Sequence, residues 1–192
     1  MKRLLFCVFA GFFIAVYFIL TLFVLPEQFL STEHLVPQPH LNVDLSDSEI
    51  SLGDSFRLNV VSENIGDYGD IHIVSVAFPD LVEIDPVEIA TYDFTQSSQY
   101  ISIGDEIGAR YSGGIESTFS KYPSIEATTR PDYPGIKNHL GLIITPEKPG
   151  IFTIYVKSVD IPHASNLSHY PDSGFLDHQD EYVLVYSVNV NP

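Results

Sequence analysis

The stretch Gly150-Ile151-Phe152-Thr153-Ile154-Tyr155-Val156-Lys157 decides the fold. Phe152, Ile154 and Val156 alternate with Thr153, Tyr155 and Lys157. An extended chain sends successive side chains to opposite faces, so this period of two marks a strand with one apolar face. A tight turn, Thr145-Pro146-Glu147-Lys148-Pro149-Gly150, leads into it. Before that turn, Leu140, Leu142 and Ile144 keep the same period, and after it Tyr182, Leu184, Tyr186, Val188 and Val190 form one face of the last strand.

The alternation continues toward the N-terminus. Leu41, Val43 and Leu45 alternate with Asn42, Asp44 and Ser46, and past the Gly53-Asp54 turn Phe56, Leu58 and Val60 alternate with Arg57, Asn59 and Val61. Asn64 to Asp70 is a turn by composition, and the β-branched run Ile71 to Phe78 reads as an inner strand. Val87 to Tyr92 and Tyr100 to Ile107 are two further strands. No segment beyond residue 25 sustains a 3.6-residue period. Short strands separated by turn signals predict a mainly β protein, with a single antiparallel sandwich over residues 41–192. Two segments, 108–137 and 161–180, lack the rhythm and read as long loops. The first is rich in Gly, Pro and Tyr and has room for a short helix or strand around Ile115 to Phe119.

Two of these segments carry a resemblance. Gly53 to Gly66 (Gly-Asp-Ser-Phe-Arg-Leu-Asn-Val-Val-Ser-Glu-Asn-Ile-Gly) resembles the second strand of the cell-adhesion-related domains of bacterial and archaeal surface proteins, where a Gly-acid turn opens an alternating strand ending in Asn-x-Gly. Pro149 to Val156 is similar to a late strand of the same immunoglobulin-like group. Phe152 and Ile154 stand where antibody-type domains carry a tyrosine and a cysteine. The resemblance implies an immunoglobulin-like sandwich and, by analogy, protein contact.

Ahead of the sandwich lies Leu4 to Leu25, which holds no charged residue. Its 22 residues as a helix reach about 33 Å, enough to cross a hydrocarbon core of about 30 Å. The run is longer than a secretory signal's apolar region and no small-x-small cleavage site follows it, so it reads as an uncleaved transmembrane anchor. Lys2 and Arg3 precede the run and the next basic residue is Arg57. The positive-inside rule then puts the N-terminus in the cytoplasm and the rest outside a plasma membrane. The expected organisation is a stub and anchor over 1–25, a Pro-bearing linker over 26–40 and the ectodomain over 41–192.

Composition narrows the function. Cys7, inside the apolar run, is the sole cysteine, which excludes a disulfide scaffold and thiolate metal ligands outside the membrane. Beyond the span, 25 acidic residues outnumber seven basic ones. Such a surface repels phosphate backbones, so nucleic acid is not an expected partner.

Three constellations could carry chemistry. Gly53-Asp54-Ser55-Phe56 resembles the nucleophile block of GDSL-type esterases, with Asp160 and His163 as the matching Asp-x-x-His pair. That family is an α/β fold with a G-x-N-D oxyanion block, and this chain has neither helices to cover such a sheet nor that block. Within 161–180, His163, His169 and His178 accompany Asp172, Asp177 and Asp180, while Asp67 and Asp70 share an acidic turn. Their spacing matches no standard ligand pattern, so no catalytic, cofactor or metal residue is assigned, and calcium is kept as a secondary candidate. Asn166-Leu167-Ser168 is an N-glycosylation acceptor motif.

The sequence thus predicts a membrane-anchored binding or assembly module, not an enzyme, that contacts another envelope or membrane protein through 108–137 and 161–180. The alternative is an accessory subunit of a larger membrane complex, with Gly11 and Ala15 as a small-residue pair for helix contact. Strand order in an immunoglobulin-like sandwich further places the start of the first strand, the Asn64–Asp70 turn and the 161–180 segment at one end.

Overall fold

The structure, a computed structural model, describes residues 2–21, 35–108, 118–162, 168–169, 171, 175–176 and 182–192. The chain forms two compact units, Met1–Thr32 and Glu33–Pro192. In the first unit, helix α1 spans Lys2–Ile19. Its 18 residues rise about 27 Å and include Lys2 and Arg3 at the start. Among the described residues no helix is long and apolar enough to cross a membrane. The last residues of the expected span, 22–25, and most of the expected linker lie outside the described residues.

The second unit is a β-sandwich. One sheet is antiparallel throughout and has four strands, β1 (Pro39–Leu45), β3 (Phe56–Asn64), β10 (Lys137–Ile144) and β5 (Val87–Tyr92), in that spatial order. The other runs β12 (Phe175–Leu176), β13 (Tyr182–Asn191), β11 (Gly150–Ile161), β4 (Ile71–Ala77), β9 (Ser124–Thr129) and β6 (Gln99–Ile101). Here β2 (Glu49–Ser51) joins β13 in parallel. A ribbon of β7 (Glu106–Gly108) and β8 (Thr118–Phe119) completes the described strands. Strands β1, β3, β10 and β5 on one sheet, facing β4, β11 and β13 on the other, are the ABED and CFG sheets of an immunoglobulin-like sandwich.

Alternation explains most of these strands. Phe56, Leu58 and Val60 of β3, Leu140, Leu142 and Ile144 of β10, and Phe152, Ile154 and Val156 of β11 all point inward and are buried. Phe152 sits between Phe56 and Phe78, with ring centroids 5.9 and 6.3 Å away. Fully burying each such side chain stabilises the fold by roughly 1.5–3 kcal/mol. A smaller cluster lies on the outer face of the second sheet, where Ile101 and Ile107 cover Ile73 and Val159. Strand β4 is therefore buried on both faces, which is why its sequence is a continuous apolar run.

Segment 108–137, expected as a long loop with room for a short element around Ile115 to Phe119, contains β8 and also β9, which pairs with β4, and it ends where β10 begins. Ser124-Ile125-Glu126-Ala127-Thr128-Thr129 is buried on both faces, so it shows no alternation, and the polar residues hide its strand character. Residues 109–117, with most of the expected Ile115–Phe119 element, lie outside the described residues.

The end of the expected linker belongs to the sandwich. Pro39 starts edge strand β1, where a missing N–H costs no ladder bond. Val36 and Gln38 exchange hydrogen bonds with the Asn64–Asp67 segment. Pro39 pairs with Asn64, and the Asp70 N–H donates to the Ile161 carbonyl. The start of β1, the turn before β4 and the end of β11 thus share one pole, as strand order implied.

Candidate functional site

That pole closes the apolar interior with a polar layer. The inward parity of β11 that begins with Phe152, Ile154 and Val156 continues to Ser158 and Asp160. On β4 the parity of Val74 and Val76 extends back to His72. The register places His72 opposite Asp160 on one side and Thr129 on the other. His169 bridges Asp160 from the far side, so four polar side chains form one row across the sheet. The facing sheet contributes Ser62 and its partner Asn138, and the Thr129 hydroxyl donates to the Asn138 side-chain oxygen at 2.9 Å.

His72 is the centre of this layer. Its Nδ1 lies 2.8 Å from Asp160 Oδ2 and 3.5 Å from Asp132 Oδ2. The second distance is an ion-pair contact, too long for a hydrogen bond. Its Nε2 meets Ser62 Oγ at 2.5 Å and Ser158 Oγ at 3.2 Å. His72, Asp132 and Asp160 are all fully buried. Asp132 is brought in by a short bridge, in which Gly69 and Asp132 exchange backbone hydrogen bonds of 3.0 and 2.9 Å. Gly69 is required there: a Cβ on it would stand 2.5 Å from Asp160 Oδ1.

The electrostatics follow from burial and neighbours. Burial pulls the His72 imidazolium down, but Asp132 and Asp160 outweigh it and hold the group up to about 9. Asp160 is pushed up to about 6, first by burial and partly offset by His72. Burial lowers His169, which favours its neutral form. Among the described residues, Asp132 Oδ1 and Oδ2, Asn138 Nδ2, Asp160 Oδ1 and His169 Nε2 are buried without a hydrogen-bond partner. Leaving such groups unpaired costs about 1–3 kcal/mol each, more when charged.

Ser62, His72 and Asp160 have the relative placement of a nucleophile, base and orienter. All three are sealed from solvent, so no substrate reaches Ser62. The chemistry left to the cluster is a buried ion pair or the holding of a cation, since His72, Asp132 and Asp160 each offer a ligand atom within 4.8 Å of the others.

The sequence candidates fare differently. Ser55 Oγ bonds Thr145 Oγ1 at 2.7 Å at the entry to β3, seven residues of strand from Ser62. That separation is roughly 23 Å, so Ser55 and Asp160 do not form a GDSL-type site. His163, Asn166, Asp172, Asp177, His178 and Asp180 lie outside the described residues. Asp67 accepts the Val36 N–H and Asp70 pairs with Arg130 at 2.9 Å, so this acidic turn already serves the pole's own structure. His72, Asp132 and Ser62 went unrecognised. His72 and Ser62 carried a signal in parity, since both fall on inward positions of largely apolar strands, whereas Asp132 lies in the turn between β9 and β10 and carried none.

No protein-family model matches the chain, and no curated protein matches it significantly. Solved structures resemble it more distantly. A cell-adhesion-related (CARDB) domain from Pyrococcus furiosus, crystallised in complex with di-metal ions, is 14% identical with a TM-score of 0.40, covering 84% of this chain and 92% of that one. A chain of a type I cohesin–dockerin complex from Clostridium thermocellum is 10% identical with a TM-score of 0.37, covering 78% of this chain and 98% of that one. A β-glucosidase from Listeria innocua is 15% identical with a TM-score of 0.39, and the match covers 81% of this chain but 16% of the enzyme.

Proposed function

We propose that the protein is a membrane-anchored binding or assembly module whose sandwich lies outside the cytoplasm and contacts another envelope or membrane protein. The anchor rests on the sequence: Leu4 to Leu25 is uncharged, with Lys2 and Arg3 on one flank. Phe9, Phe12, Phe13, Ile14, Tyr17 and Phe18 are exposed around the circumference of α1, which suits an apolar surrounding.

The observation that carries the binding reading is the rim of the polar-layer pole. Val36, Ile65, Tyr133 and Ile136 are each more than half exposed there, and Tyr133 stacks at a tilt on Tyr68 with centroids 5.5 Å apart. Backbone hydrogen bonds fix these turns against each other: Gly135 to Asn64, Ile65 to Gln38 and Asp132 to Gly69. Rigid aromatic and aliphatic groups on a preorganised turn lose little entropy on binding.

Photo-crosslinking in intact cells tests the reading. A crosslinker at Ile136 is expected to trap a membrane or envelope protein in the membrane fraction. Ile151, exposed on the opposite pole at the start of β11, serves as control. A chain recovered in the soluble fraction, or equal adducts at both positions, would overturn it.

A further inference from the structure

The buried cluster has more acceptors than donors. Asp132 has no hydrogen-bond partner for either oxygen among the described residues, and Asp160 has none for Oδ1, although both side chains are fully buried. His72 Nδ1 is the group that faces both carboxylates. One imidazole between two carboxylates leaves the layer short of positive charge, and the unpaired Asn138 Nδ2 nearby is a donor that carries none.

We propose that His72 Nδ1, Asp132 and Asp160 bind one divalent metal ion of the zinc class. The ligand atoms lie within 4.8 Å of one another. Metal bonds of about 2.0–2.1 Å in a tetrahedral site put neighbouring ligand atoms about 3.3 Å apart. The distances from Nδ1, 2.8 Å to Asp160 and 3.5 Å to Asp132, bracket that value. Two carboxylates and a neutral imidazole balance one divalent cation, so the bound layer carries no net charge. The other face of the ring is already arranged for this role: with Nδ1 on the metal, Nε2–H donates to Ser62 Oγ and is fixed by it, with Ser158 beside. Gly69 keeps space beside Asp160 that any other residue would fill. The donor set favours zinc over calcium, which takes 6–8 oxygen ligands. Because the site is sealed, the ion enters as the chain folds and its binding energy becomes folding energy.

The test uses the untagged full chain in detergent, refolded with zinc, calcium or chelator. Zinc is expected to remain at one ion per chain through desalting. Its melting temperature at a hundredfold excess over Kd is expected to lie roughly 5–10 °C above that of the chelated protein. Cobalt in place of zinc should give visible ligand-field bands. Asp132→Asn, close in shape, is expected to lose both retention and the thermal response. If that variant does not fold, the wild-type arms decide alone. Wild type that folds without retaining zinc and melts at one temperature in all three solutions would overturn the proposal. Response to calcium alone, or full zinc retention in Asp132→Asn, would do the same.

Discussion

Replacing Gly69 by alanine tests whether the polar layer is as tightly built as its distances say. The added Cβ would stand 2.5 Å from Asp160 Oδ1, 3.3 Å from Asp160 Cγ and 3.6 Å from Asp132 Cβ. Ordinary contact begins near 3.4 Å, so something must move by about 0.9 Å. Asp160 is fully buried and held by His72, so a shift of that size takes the 2.8 Å bond out of range. If the backbone yields instead, the paired bonds between Gly69 and Asp132 are lost. Overpacking costs about 1–3 kcal/mol. A lost hydrogen bond to a charged group adds about 1.5–3 kcal/mol. Alanine restricts the unfolded chain and returns about 0.4–1 kcal/mol. The expected net loss is about 2–5 kcal/mol, or roughly 4–20 °C in melting temperature. Urea and thermal denaturation of the chelated full chain measure it. A double-mutant cycle with Asp160→Ala removes the atom in the way, and Gly69→Ala should then cost at least about 1 kcal/mol less. A change within about 0.5 kcal/mol of wild type, or the same cost in both backgrounds, would refute the reasoning.

Further outcomes follow from the same layer and rim. His72 in the folded chain titrates about 9 against an ordinary value of 6.5. In the chelated protein its contribution is full below pH 6.5 and is lost as pH rises to 9, on the order of 3 kcal/mol. Asp160, also raised, to about 6, removes stability in the same direction between pH 4 and 6. Denaturant midpoints across pH check both. With zinc the trend reverses, because metal binding displaces protons. Ser55→Ala should change stability by less than about 0.5 kcal/mol and leave a serine-reactive phosphonate as unreactive as with wild type, since Ser55 is exposed and its Oγ bonds only the half-buried Thr145 hydroxyl. Tyr133→Asp with Ile65→Asp should abolish crosslinking from position 136 while the melting temperature stays within about 2 °C, because both side chains are more than half exposed. Leu140→Ala, at the centre of the interior, should cost about 2–5 kcal/mol in denaturant unfolding.

The period of two in β1, β3, β10, β11 and β13 is a local property, because each of these strands has one face on the interior and one on solvent or a partial cover. Those strands, their turns and the sandwich class were therefore legible from the residues. Strand β9 was not, since burial on both faces erases the alternation and Glu126 and the Thr residues mask it. The shared pole of β1, the Asn64–Asp70 turn and the end of β11 followed from strand order alone.

The site was legible only in part. Asp160 was singled out, but in company with His163 by sequence and Ser55 by motif, not with His72 and Asp132. Residues 72, 132 and 160 come together because β4 and β11 pair in one register and because Gly69 lets a turn from β9 approach closely. By itself the sequence determined an uncharged apolar run, an acidic chain without usable thiols and an alternating β-sandwich, all set by local pattern and composition. Only the tertiary structure decided that one histidine and two aspartates share a buried layer. Their separations along the chain, 60 and 28 residues, carry no period, and the pairing register of β4 and β11 together with the Gly69–Asp132 bridge makes them neighbours.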